Sequence, residues 1–290
     1  VTFLRHKPLT LLITHCSIQE VIMSQQSVRS IFISDVHLGT SACQASLLLD
    51  FLESTSCETL YLVGDIIDLL AMRKRVQFTS DHQAIIAQVF KMAQSGTRVV
   101  YIPGNHDALF RRFHGQEISG VEIKRNIDYT SLDGRTFLVS HGDEFDTVMQ
   151  CSPWLNWLGD VSHELLLKLN TVVNTIRRSW GRPYWSIARA IKKRIGSAQA
   201  FINRFETLVA RRATENNYDG FICGHIHHWQ MTYHDKALYL NDGDWVEHCS
   251  ALVETHQGEF QLWHCAETIE VLLRESMIEK PSSELQPSFA

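Results

Sequence analysis

A chain of 290 residues that is 44% hydrophobic and 10% aromatic carries enough apolar material for the core of one large domain or two small ones. Its formal charge of −5 and pI near 6.3 exclude a polycation that coats nucleic acid or anionic lipid along its whole length, so any basic surface is local. Seven cysteines, an odd number without a C-x-x-C pair, point to scattered reduced thiols in a reducing compartment, and no run approaches the roughly 20 apolar residues that span a bilayer.

The opening run VTFLRHKPLTLLITHC has basic residues ahead of a short apolar stretch, as a signal peptide does. Thr10, Thr14 and His15 interrupt it, and no small-residue cleavage site follows. Met23 stands just ahead of a polar SQQS and the first strong strand, so residues 1–22 are expected to be a disordered or non-native extension. The folded domain is expected over 23–275, with a disordered tail over 276–290.

Five segments then share one design: SIFISD (30–35), TLYLVGD (59–65), RVVYIPGN (98–105), RTFLVSHGD (135–143) and YDGFICGH (218–225). Each is a short run of β-favouring apolar residues that ends in Gly, Asp, Asn or His. Continuous apolar runs mark strands buried on both faces, and helical patterns lie between several of them (ACQASLLLDFLEST, DHQAIIAQVFKMAQSG), which predicts an α/β sandwich. Ligands of such folds gather at the carboxyl ends of the strands, so five polar strand ends point to one shared site. Between about 150 and 215 the rhythm changes to helical apolar spacing, with Gly181 and Pro183 at a turn, and this predicts a helical insertion or lid. Short strands return from KALYLNDGDWVEHCSALVE onward, and no internal repeat is present.

Taken singly the strand-end motifs are ordinary, since Gly-Asp is a common turn and D-x-H occurs by chance. Taken together they supply Asp35, His37, Asp65, Asn105, His141, His225 and His227, all N and O donors with no thiolate. Mixed imidazole and carboxylate sets suit Mn, Fe, Zn or Co, and seven ligands exceed what one first-row ion takes from protein. Two divalent ions sharing a bridging carboxylate is the economical count, with Mn²⁺ the expected ion and Asp65, central in the order, the expected bridge.

D-x-H, G-D-x-x-D, G-N-H-D, S-H-G-D and G-H-x-H, in this order between about Ser30 and Val253, resemble the motif set of the calcineurin-like metallophosphoesterases. The resemblance implies an α-β-β-α sandwich with a helical insertion and a dinuclear phosphoesterase whose metal-bridging hydroxide attacks phosphorus. One ion is then held by Asp35, His37, Asp65 and His227, and the other by Asp65, Asn105, His141 and His225. His106 stabilises the developing charge or protonates the leaving oxygen, and Asp107 orients its ring. Asp68 fits a supporting position beside the ions better than a ligand position, and Asp143 and Asp146 fit an orienting or turn-holding role.

Within that family, FISDVHLGT, VGDIIDLL, HGDEFD, WLGD, RPYWSIARAIKKRI and NDGDWVE resemble the UDP-2,3-diacylglucosamine diphosphatase group. This implies cleavage of a lipid-linked sugar nucleotide to UMP and 2,3-diacylglucosamine 1-phosphate. The implied setting is the cytoplasm, with peripheral contact at the inner face of the inner membrane. The insertion carries eleven basic residues from Lys168 to Arg212 against the single acid Glu206, with Trp154, Trp157, Trp180, Tyr184 and Trp185 interleaved or close by. Such helices form either a basic, aromatic face for an anionic membrane or a packed hairpin with solvated cations, and Trp beside Leu and Ile favours lipid over nucleic acid. The chain departs from the diphosphatase group at His106, where that group carries arginine, so a phosphate clamp is sought among Arg177, Arg178, Arg182 and Lys193. The alternatives are a paralogous phosphodiesterase or phosphatase acting on another ester or on nucleic acid, and, in a different class, a non-catalytic scaffold of the same fold.

Overall fold

The computed structural model describes residues 26–149, Asn174, Arg177, 196–266 and 268–280. Thirteen strands are formed among them: β1 (Gln26–Ile33), β2 (Thr55–Val63), β3 (Arg98–Ile102), β4 (Glu117–Ile118), β5 (Val121–Ile123), β6 (Ile127–Thr130), β7 (Thr136–Val139), β8 (Gly220–Cys223), β9 (Gln230–His234), β10 (Ala237–Asn241), β11 (Ser250–Glu254), β12 (Phe260–Cys265) and β13 (Ile269–Arg274). The described helices are α1 (Ala45–Ser54), α2 (Leu69–Met72), α3 (Ser80–Gln94), α4 (Asp146–Met149) and α5 (Gly196–Glu215).

The strands make two sheets, ordered β13-β12-β11-β1-β2-β3-β5-β4 and β6-β7-β8-β10-β9. β1, β2, β3 and β5 run parallel, as do β7, β8 and β10, and the antiparallel strands flank them. All five strands expected from the sequence form, three in the first sheet and two in the second.

Strand alternation sorts the apolar residues into three layers. Ile31, Ile33, Leu60, Leu62 and Val99 pack against Leu48, Phe51 and Leu52 of α1 and Ile85 and Val89 of α3. The residues between them, Phe32, Tyr61, Val63, Val100 and Ile102, face the other way and meet Phe137, Val139, Ile222, Leu238 and Leu240 of the second sheet. On that sheet's outer side Phe221, Cys223 and Tyr239 pack on Phe205, Val209 and Ala213, which recur on one face of α5. The result is the expected α-β-β-α sandwich. α3 starts cleanly because Thr79 Oγ1 accepts from His82 N while the His82 ring takes Thr79 N, a reciprocal cap.

α5 lies inside the segment expected to be a helical insertion, and Asn174 and Arg177 are helical; the rest of 150–195 lies outside the described residues, as do 1–25 and 281–290. The expectation of a tail from residue 276 is revised. Glu275–Met277 form a 3-10 turn, Ser276 Oγ donates to Glu259 Oε1 at 2.6 Å and Ile278 packs on the layer between the sheets, so contacts hold the chain to that point. The five described cysteines are free thiols, four of them buried.

Candidate metal centre

β1, β2, β7 and β8 each stop two residues short of a candidate ligand, and β3 stops three short. The chain bends sharply there. Nine non-glycine residues have positive φ among the described residues, and five of them are Asp35 (50°), His37 (55°), Asp65 (53°), His225 (69°) and His227 (51°). Left-handed backbone is uncommon outside glycine, so its concentration at these positions marks strain held in place by the surrounding structure. Two motif glycines serve close approach. A Cβ on Gly104 would fall on Asp65 Oδ1 and 2.6 Å from His141 Cδ2, and one on Gly224 would fall on Ser34 Oγ and 2.5 Å from Asp35 Oδ2.

His37, His227 and Asp35 converge. His227 Nε2 lies 3.0 Å from Asp35 Oδ1 and 3.4 Å from His37 Nε2. His37 Nδ1 donates to Asp68 Oδ2 at 3.0 Å, which leaves its Nε2 for the cluster. Beside them, His141 Nδ1 donates to Val63 O at 2.8 Å, so its Nε2 faces Asn105 Oδ1 at 3.2 Å and Asp65 Oδ2 at 3.3 Å.

A ring nitrogen aimed at two acceptor oxygens calls for positive charge between them, supplied by a proton on that nitrogen or by a bound cation. Asp35 Oδ1 is likewise buried and has no aligned hydrogen-bond donor. Burial by itself favours the neutral forms, but the neighbours prevail. His227 and His37 hold Asp35 well below the usual carboxylate range, and His141 holds Asp65 down at about 2. Asp35 and Asp68 push His37 up to about 10, and Asp65 raises His141. The pocket is a converging set of carboxylate, amide and imidazole donors that binds positive charge, and the donor types fit divalent first-row metals.

His225 is placed differently from its six companions. Its backbone N donates to Asp35 Oδ2 at 2.8 Å and its ring centroid is 5.1 Å from that of His141, but its Nε2 lies 2.7 Å from Asp146 Oδ1. With Nε2 held by Asp146, Nδ1 is the ring nitrogen left for an ion shared with His141.

The orienting role expected of Asp107 is corrected. Asp107 is fully buried and accepts from the backbone N of Gly104 (2.6 Å) and Ile66 (2.8 Å) and from Tyr101 Oη (2.5 Å), so it stitches together the loops after β2 and β3. Adjacent side chains on this turn diverge, Asp107 beneath the loop and His106 toward the cluster. The carboxylate that reaches the His106 ring is Asp68, whose Oδ1 is 3.0 Å from His106 Nδ1 while its Oδ2 holds His37. Asp68 also caps α2 by accepting from Ala71 N at 2.7 Å. His106 donates its backbone N to Asp65 Oδ1 at 2.8 Å and leaves its side chain 32% exposed, open to a bound ligand.

Sequence reasoning missed two supports. Ser34 Oγ lies 2.7 Å from Asp35 Oδ2 and 2.5 Å from Asp242 Oδ1. Ser34 Oγ stands between the two carboxylates, and burial pushes the Asp242 carboxyl well above its usual range. Asp244 accepts from Val246 N (2.8 Å) and His248 N (3.2 Å), shaping a loop from which Trp245 N donates to Asp35 O at 3.1 Å. Both acids stand in NDGDWVE, whose Asn-Asp-Gly-Asp run is the available signal. Of the expected clamp, Arg177 is helical and half-buried, and Arg178, Arg182 and Lys193 lie outside the described residues.

The family model for calcineurin-like phosphoesterases matches residues 28–229, a span that contains all seven candidate ligands. A protein named UDP-2,3-diacylglucosamine hydrolase from Aliivibrio fischeri is 24% identical over 256 residues, 80% of this chain and 99% of that protein. One of the same name from Nitrosococcus oceani is 26% identical over 249 residues, 78% of this chain and 91% of that protein. Among solved structures, a phosphoesterase from E. coli aligns over 84% of this chain and 97% of its own, at 10% identity and a TM-score of 0.44. With the family match spanning most of the sandwich and every strand-end motif, the chain belongs to the calcineurin-like phosphoesterases and is a phosphoester hydrolase.

Proposed function

We propose that this chain hydrolyses the pyrophosphate of a lipid-linked sugar nucleotide of the UDP-2,3-diacylglucosamine kind, releasing UMP and a lipid phosphate, at a two-cation centre. The observation that carries the centre is the pair of buried oxygens, Asp35 Oδ1 and Asp65 Oδ2, each faced by imidazole nitrogens at 3.0 to 3.3 Å. Asp35, His37, Asp65 and His227 would hold one ion and Asp65, Asn105, His141 and His225 the other. When bound, the two ions supply Lewis-acid charge for the phosphoryl oxygens and acidify water, and manganese suits the all-N,O donor set.

The chain's own part is positioning and proton transfer. Asp68 Oδ1 stands 3.0 Å from His106 Nδ1, which leaves the Nε2 side to serve substrate and to protonate the leaving oxygen or steady its charge. Asp107 holds the loop that carries His106 against the loop that carries Asp65. Ser34 and Asp242 steady Asp35 from behind.

The substrate reading is supported by the two hydrolase relatives, which match along nearly their whole length. The basic, Trp-bearing stretch from 154 to 212 supports peripheral contact with an anionic membrane at its cytoplasmic face, and no described helix is long and apolar enough to cross a membrane. The test compares Mn²⁺-supported turnover of UDP-2,3-diacylglucosamine in detergent micelles with that of bis-p-nitrophenyl phosphate. Much faster release of UMP from the lipid supports the assignment. Turnover of the small diester alone keeps the phosphoesterase and rejects the lipid substrate.

A further inference from the structure

Asn105 and His141 belong to different sheets. Asn105 follows β3 of the first sheet and His141 follows β7 of the second, and β3 and β7 share no ladder. Yet Asn105 Oδ1 and His141 Nε2 are 3.2 Å apart, so something other than strand pairing fixes the gap between the two loops.

One side chain spans it. Arg111 Nε and Nη2 both donate to Pro103 O at 3.1 Å, and Arg111 Nη2 also lies 2.7 and 2.8 Å from the two carboxylate oxygens of Asp143. Pro103 is two residues before Asn105, and Asp143 is two residues after His141. Arg111 itself sits in the 3-10 turn Ala108–Phe113, held by Phe110 N donating to Asp107 O at 2.9 Å and by Phe110 packing on Tyr101 at 5.6 Å between ring centroids. Proline offers only its carbonyl to the main-chain hydrogen-bond inventory, and Arg111 satisfies it twice. The Asp143 side chain is only 13% exposed and that of Arg111 33%, so this pair is better shielded than an ordinary surface ion pair. A planar guanidinium reaches the carbonyl and the carboxylate at once; an ammonium supplies a point charge without that fork.

We propose that Arg111 is a positioning residue that sets the affinity of the ion shared by Asn105 and His141, through Pro103 and Asp143. This rests on the two-ion reading above. None of the Arg111 bonds reaches Asp35, His37 or His227, so the effect falls on one ion and spares the other.

Titration of the metal-free full-length protein with Mn²⁺ alone, read by calorimetry and by the electron paramagnetic resonance signal of a coupled manganese pair, tests it. Wild type takes up two ions and shows the coupled signal. In Arg111→Ala and Asp143→Asn one step is unchanged and the other falls by about 10- to 100-fold, the usual cost of losing a support behind a metal ligand. At low Mn²⁺ these variants then show the signal of an isolated ion. Arg111→Lys recovers part of the loss, and Arg111→Ala combined with Asp143→Asn is no worse than the single changes, because both remove the same link. Circular dichroism and melting of Arg111→Lys establish that the fold is retained. Two unchanged steps in every variant overturn the proposal, and so does equal weakening of both steps, which marks a merely structural role. Fewer than two ions in wild type overturns the two-ion reading itself and this inference with it.

Discussion

The loops after β1 and β2 are tied to each other by a run of main-chain hydrogen bonds, whereas those after β7 and β8 share Gly224 N to His141 O at 3.2 Å and otherwise reach the metal cluster largely through side chains. Asp35 N donates to Gly64 O at 3.0 Å, Val36 N and His37 N to Asp65 O at 3.0 and 2.9 Å, and Leu38 N to Ile66 O at 2.9 Å. Asp107 then stitches the loop after β2 to that after β3. On the other side His141 hangs from Val63 O by its ring, His225 leans on the exposed Asp146, and Arg111 grips Asp143. Ligands fixed by main chain keep their places before any ion arrives. Ligands fixed by one or two side-chain bonds depend on each of them, so the second half of the centre is the more sensitive to single substitutions.

The substitution that breaks both halves together is Asp65→Ala, since Asp65 lies against His141 on one side and receives His106 N on the other. Turnover of bis-p-nitrophenyl phosphate is expected to fall by at least about 10⁴-fold, beyond what loss of one acid or base accounts for, with both ions lost from the protein. His106→Ala is expected to lower kcat by about 10²- to 10⁴-fold while two ions remain bound, measured by steady-state kinetics beside metal analysis. Asp68→Asn is expected to cost about 10- to 100-fold in activity, because Asp68 bonds His37 and stands against the His106 ring. Asp107→Asn sharpens the contrast. Its effect is expected first in the melting temperature, since Asp107 is bonded to loop backbone and Tyr101 and not to the His106 ring.

The smallest effect concerns the main-chain-tied half and follows from pH. Burial raises the carboxyl pKa of Asp244, but His248 beside it and the loop backbone N–H groups outweigh burial and hold it well below the usual range. A folded pKa below the unfolded value of about 3.9 gives stability that is present above that pH and lost as the pH falls through the folded value. The melting temperature of wild type is therefore expected to exceed that of Asp244→Asn by a constant margin near neutral pH, and the margin to shrink as the pH drops below about 4. A margin indifferent to acid would assign Asp244 a role that does not depend on its charge.

Much of this centre was legible because each ligand sits next to the strand that presents it. Asp35, Asp65, Asn105, His141 and His225 follow apolar runs within two or three residues, so a local pattern marks both the strand and its polar end. What the pattern hides is long-range side-chain geometry. The choice of Asp68 over Asp107 as the partner of His106 depends on how two loops face each other across adjacent strands, and the link from Asp242 through Ser34 to Asp35 joins residues 208 positions apart. The flanking strands β11, β12 and β13 were seen only as a return of short strands, because antiparallel pairing leaves no signature of which neighbour each one joins. The left-handed backbone at Asp35, His37 and Asp65 was not legible either, since aspartate and histidine enter that region more often than most residues but still in a small minority of cases.

The most direct test of the two-cation centre is a crystal of the protein grown with Mn²⁺ and measured at the manganese absorption edge. Two anomalous peaks are expected, one among Asp35, His37 and His227 and one between Asn105 and His141, with Asp65 reaching both and a ring nitrogen of His225 reaching the second. A single peak, or none, at a site whose donors keep the positions described above would contradict the account.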